Sequence, residues 1–156
     1  MINEKLLKQL GEADLKISGL KLWVHGRQFP DMDDYWDGNW LNVTAYCSAA
    51  GSSVMVSGSF IHVPEIRRLH DSIVALNTTL TGSAALECIE PELSVLIQAE
   101  SPGHLVMVVN ITPNHLDQTH EYTFELDQSY LTGLISDCNK ILDKYPIKGS
   151  AETKGV

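Results

Sequence analysis

Four aspartates, Asp31, Asp33, Asp34 and Asp37, fall within seven positions, beside Tyr35, Trp36 and Trp40. Clustered carboxylates suit a hard cation, because Ca²⁺ takes roughly six to eight oxygen ligands. The spacing does not match. A calcium loop starting at Asp31 needs Gly at position 36 and a bidentate Glu at position 42; those positions hold Trp36 and Asn42. A second chemistry fits the same residue types. Aromatic side chains ringed by carboxylates suit a basic protein surface, the rings acting as anchors and the charges steering the encounter. Asp31, Asp33, Asp34, Tyr35, Trp36 and Asp37 are therefore the candidate partner-binding residues. The competing use is structural: Trp36 and Trp40 plug one end of a sheet while the aspartates make turn hydrogen bonds.

The other reactive residue types form no recognisable constellation. The histidines, at 25, 62, 70, 104, 115 and 120, make no HxH or HExxH pair, so no zinc-type ligand set is expected. Cys47, Cys88 and Cys138 are odd in number and contain no CxxC; they read as buried free thiols in a reducing compartment. No serine sits in a GxSxG frame, and neither GxGxxG nor a P-loop occurs, so nucleophilic catalysis and nucleotide binding have no support. Glu87, Glu90 and Glu92 surround a turn, where solvation explains them better than acid–base chemistry. No catalytic residue, metal or cofactor is expected, and the chain reads as a binding protein.

Composition agrees with that class. The 156 residues carry twenty acidic and eleven basic side chains, a formal charge of −9, with 44% apolar and 20% charged residues. That is one domain with a real core. The negative charge repels phosphate backbones, which disfavours nucleic acid as a partner. It leaves a basic protein or a small molecule in a pocket, or solubility alone. The longest apolar run is Leu105–Val109, far short of the roughly 20 residues that span a bilayer. Residues 1–12 lack an export-type apolar stretch. A cytoplasmic location is expected, with no membrane partner.

The elements that would position the acidic loop follow from hydrophobic period. Ile2, Leu6, Leu7 and Leu10 mark a short N-terminal helix closed by Gly11. Residues 15–24 read as a strand with a bulge at Ser18–Gly19. After the loop, Trp40–Cys47 and Val54–His62 read as a hairpin, with Val54, Val56, Gly58, Phe60 and His62 on one face. Pro64 opens a helix striped by Ile66, Leu69, Ile73, Leu76 and Leu80. Strands follow at 83–89, 93–99, 105–111 and 119–126, the third apolar on both faces and so central. Asp127 caps a last helix whose apolar stripe runs from Leu131 to Tyr145, and Pro146 stops it. The expected architecture is α+β: a curved antiparallel sheet, with closure into a partial barrel left open, and two main amphipathic helices on one side. Residues 1–146 form the single domain, its core at about 14–146, and 147–156 a flexible tail.

The run Tyr35-Trp36-Asp37-Gly38-Asn39-Trp40-Leu41-Asn42-Val43 resembles a stretch of the WapI-type bacterial immunity proteins. A Leu86-Glu87 strand and the run Phe124-Glu125-Leu126-Asp127-Gln128-Ser129-Tyr130-Leu131 before a closing helix are similar too. The resemblance spans about residues 14–146. It implies a small cytoplasmic antitoxin-like protein that neutralises a toxin domain in bacterial competition by direct binding, a basic nuclease being one such target. It transfers no individual contact residue. The alternatives are a small-molecule binder, with Phe60, Val95, Met107 and Phe124 lining a cavity, or an enzyme of unrecognised type.

Overall fold

The computed structural model describes residues 4–151. In chain order the elements are α1 (Glu4–Leu10), β1 (Leu15–Ile17), β2 (Leu20–Arg27), β3 (Trp40–Ala49), β4 (Ser52–His62), α2 (Val63–Thr79), β5 (Ser83–Leu86), β6 (Leu93–Ser101), β7 (His104–Ile111), β8 (Glu121–Asp127) and α3 (Ser129–Lys144), with a 3-10 turn at Asp37–Asn39. Ile2, part of the expected N-terminal stripe, lies outside the described residues. The rest of α1 buries nothing completely.

The strands pair antiparallel throughout, but in two four-stranded sheets, ordered β1-β2-β3-β4 and β5-β6-β7-β8. The break falls at α2. The 17-residue helix α2 separates the two ladders. The strand that sequence period extends to Ile89 stops at Leu86. The Ile89 N–H donates instead to Glu65 Oε2, at 2.8 Å. As its double-sided apolar pattern suggests, β7 is interior to its sheet, between β6 and β8.

One core joins both sheets and the helix pair. The buried stripes of α2 (Ile66, Leu69, Ile73, Leu76) and α3 (Leu131, Leu134, Cys138, Ile141, Leu142) belong to the same cluster as the inner faces of the strands. Each such leucine or isoleucine contributes roughly 1.5–3 kcal/mol by leaving water. Where Leu15, Leu22, Leu69, Leu86, Val95 and Leu134 converge, the remaining void is about 10 Å³. That is at or below the ~10–15 Å³ a single water requires. Phe60, Val95 and Met107, the residues expected to line a ligand cavity, are buried in this core, and Phe124 packs against it. The packing leaves no room for a ligand among those four residues.

Two local features depart from simple period. Ser18–Gly19 is not a bulge within one strand. Ser18 takes φ 50° and β1 folds back on β2, with Ile17 opposite Leu20. The second feature is a real bulge, in β4. Leu41 pairs with Ile61 but Val43 pairs with Gly58, so two residues oppose Asn42. One extra residue reverses which face the following side chains take. Ile61 therefore goes to the core, and His62, expected beside Val54 and Val56, pairs with Trp40 on the opposite face. That switch builds the site described next.

At the start of α3 the N-cap position is Gln128, which makes no side-chain capping bond; Asp127, expected there, stands one residue earlier, and its Oδ1 accepts from the backbone N–H of Ser129 at 2.8 Å.

Candidate functional site

The loop between β2 and β3 is folded around two buried polar side chains. The first is His62, 2% exposed. The rings of Trp40, Trp36 and Tyr35 lie 4.7, 5.2 and 5.4 Å from its own, and Trp36 meets Trp40 edge to face at 5.6 Å. Its Nε2 lies 3.1 Å from the Tyr35 carbonyl and 3.0 Å from that of Trp36. Carbonyls only accept, so Nε2 carries the proton. The Tyr35 and Trp36 rings thus pack against His62 and are half-buried.

The second is Asn39, fully buried. Its amide nitrogen donates to the carbonyls of Tyr35 at 2.6 Å and Lys148 at 2.9 Å. Its oxygen accepts from the Lys148 N–H at 2.9 Å and Arg27 Nη1 at 3.2 Å. A primary amide has two donors and two acceptor sites, and Asn39 uses all four. Arg27 also donates to the carbonyls of Gly38 and Pro146 and lies under the Tyr145 ring. Gly38 is required here, since a Cβ would sit 2.6 Å from the Met32 carbonyl oxygen. The Trp-Asp-Gly-Asn-Trp run therefore encodes a fold-closing clasp.

The clasp reaches the far end of the chain. Lys148 Nζ donates to the carbonyls of Pro30 and Met32 at 2.8 and 2.9 Å and stands 3.7 Å from Asp33 Oδ1. The beginning of the expected flexible tail is instead bound against the loop. Residues 152–156 lie outside the described residues.

The carboxylates are arranged differently from the rings. Asp31, Asp33 and Asp34 are exposed and Asp37 is half-buried. Asp34 Oδ2 accepts from the Asp37 N–H at 2.8 Å. Phe29 and Met32, not singled out from sequence, are 44% and 42% exposed beside them. The structure thus divides the six candidates: Tyr35 and Trp36 turn inward onto His62, Asp37 is half-buried, and the other three aspartates face solvent. Sequence reasoning also missed Arg27, Asn39, His62 and Lys148. The only signal for them was the Trp-Asp-Gly-Asn-Trp run itself.

The remaining titratable groups are dispersed. Among the described residues no three His, Cys, Asp or Glu side chains gather as a metal site. His70 meets Asp71 at 2.9 Å, and His25 Nε2 lies 2.8 Å from Thr44 Oγ1. Glu65 is buried; its Oε1 accepts from the His62 N–H at 2.7 Å. Burial raises its carboxyl pKa, against the two backbone N–H bonds and nearby Arg68, which lower it. The thiols are free; burial pushes Cys47 and Cys138 up to about 12. No helix of the described residues is long and apolar enough to cross a membrane.

These features define a two-sheet α+β protein in which a buried polar cluster around Asn39 braces a loop. The chain belongs to the immunity protein WapI-like family, whose family model matches residues 11–146. The clasp joins that span to Lys148, just beyond it. No curated protein matches the chain, and no solved structure does.

Proposed function

We propose that this chain neutralises a basic toxin domain in the cytoplasm by direct, stoichiometric binding, without catalysis. Family membership carries the reading. The net charge of −9 supports a basic partner, because opposite fields accelerate encounter. The solid core supports action at the surface. Of the loop residues, Asp31, Asp33 and Asp34 add to the attraction, with Phe29 and Met32 exposed beside them, while Tyr35, Trp36 and Asp37 hold the loop's shape. Co-expression with inactivated and active forms of any toxin domain encoded beside this chain tests it. The expected result is a one-to-one complex that abolishes toxicity, with an association rate that falls as salt rises. Rescue that needs far less than one equivalent of this chain would mean turnover, and the proposal would be wrong.

A further inference from the structure

The negative charge is segregated along the chain. From Leu69 to Asn139 there is no Lys or Arg, and there are ten Asp or Glu. The rest of the protein holds all eleven basic residues against the other ten acidic ones, a formal charge of +1. The half that contains the acidic loop is thus close to neutral. The whole of the net charge lies in the segment that builds most of α2, the second sheet and the start of α3.

The outer face of that second sheet can be read from the register. One row across it is Ala85, Leu96, Val108 and Thr123; the next is Gln98, Val106 and Glu125. Leu96 is 40% exposed and Val106 and Val108 are half-buried, leaving an apolar stripe at the centre. Glu121, Glu125 and Asp127 stand along β8, all exposed. The four strands contain no Lys or Arg. At the end of the β7–β8 pair, Leu116 is 81% exposed on a turn braced by Asn114, whose Oδ1 accepts from the Leu116 N–H at 3.1 Å and whose Nδ2 donates to Asp117 at 3.0 Å.

The first sheet makes an internal comparison. Its outward Trp23 is buried and donates to the Gly11 carbonyl at 3.0 Å. Its outward Trp40 is covered by the clasped loop. Between them Thr44 and Ser57 bond each other at 2.8 Å. That face is covered at its large rings and polar between them. The second sheet's face has an apolar centre at Leu96, Val106 and Val108, flanked by the polar Ser94, Gln98, Asn110 and Thr123 and rimmed on one side by carboxylates.

We infer that the outer face of the second sheet, with Leu116 at its end, is the docking surface for a basic protein partner. An apolar centre with a charged rim is the usual anatomy of such a contact. A second copy of this chain is a poor occupant, because two such faces would bring like charges together. A typical interface also draws on about 20–30 residues a side, more than the acidic loop offers. The inference rests on the immunity reading and specifies which surface performs it.

The test titrates the full chain with purified, inactivated toxin domains taken from toxins encoded beside members of the family. Three variants are compared with the wild type: Glu121→Lys with Glu125→Lys, Thr123→Arg alone, and Asp31→Asn with Asp33→Asn and Asp34→Asn. Thr123 is exposed, so its substitution blocks the face with little demand on folding, and unchanged melting temperatures verify this. The two sheet variants are expected to weaken binding at least about thirty-fold, and the loop variant less than about five-fold. Binding by the wild type that the sheet variants leave intact overturns this inference and spares the immunity reading. Failure of the wild type to bind any of the domains overturns both.

Discussion

Asn39 and Lys148, 109 positions apart, hold each other by a reciprocal pair of hydrogen bonds: the Asn39 amide donates to the Lys148 carbonyl, and the Lys148 N–H donates to the Asn39 oxygen, both at 2.9 Å. The pair closes the β2–β3 loop against the segment that follows α3. Asn39→Ala leaves the carbonyls of Tyr35 and Lys148 and one Arg27 donor without that partner in a buried place. Such a loss costs about 3 kcal/mol. Asn39→Asp keeps the shape but turns an acceptor toward two carbonyl oxygens, and should cost at least as much. Lys148→Ala keeps the backbone bonds and should cost only about 1 kcal/mol. Urea denaturation of the three variants checks the order; a Lys148→Ala effect as large as that of Asn39→Ala would place the weight of the clasp on the ammonium.

At Gly19 the first sheet meets the Phe124 ring of the second. A Cβ there would lie 2.0 Å from the Ser48 carbonyl oxygen and 2.8 Å from the Phe124 ring, and the Gly19 carbonyl accepts from the Ser48 N–H at 3.0 Å. The Ser48 backbone on one side cannot yield cheaply, and the Phe124 ring closes the other. Gly19→Ala should therefore destabilise by about 3 kcal/mol or more, well beyond the ordinary effect of a turn substitution. A melting temperature within a few degrees of the wild type would show that the sheets can move apart there.

The three thiols give a readout of core opening. Cys47 and Cys138 are fully buried and pushed up to about 12 by that burial. For Cys88 burial comes first, and the charges of Glu65 and Glu92 push in the same direction. The nucleophile is the thiolate, so at neutral pH all three are shielded both sterically and chemically. An aromatic disulfide reagent should label Cys47 and Cys138 at the rate of global unfolding, and all three at once in denaturant. Fast labelling of Cys138 in the native protein would mean that α3 opens on its own.

The second-order features show what was legible before the fold was known. The element types and α+β class follow from period and turn residues, because side-chain burial repeats every two or about 3.6 positions. The division into two sheets does not, since period says which face is buried and not which strand is next. The His62 environment was hidden for a sharper reason: one bulge opposite Asn42 reverses the face of every residue after it, and strict alternation put His62 on the wrong side. The clasp was invisible because Asn39 and Arg27 find partners more than a hundred positions away. The candidate carboxylates were legible as exposed groups, but the rings between them were already needed by the core of the loop.

Glu65 offers a pH test of that packing. Its Oε1 and Oε2 accept from the N–H groups of His62 and Ile89, tying the aromatic knot to the β5–β6 connection. Burial nevertheless raises its pKa above the ordinary 4.5. A carboxyl whose pKa is higher in the folded state than in the unfolded one binds its proton more tightly when folded. Its contribution is then full below the unfolded value and is lost as pH rises through the folded one. Glu65→Gln has no such titration; it loses one N–H bond at every pH, which gives a constant offset. The difference in urea midpoint between wild type and variant should therefore be largest below pH 4.5 and shrink on going to neutral pH. A difference that instead grows with pH would mean that the two backbone donors and Arg68 outweigh desolvation and that the carboxylate is stabilised where it sits.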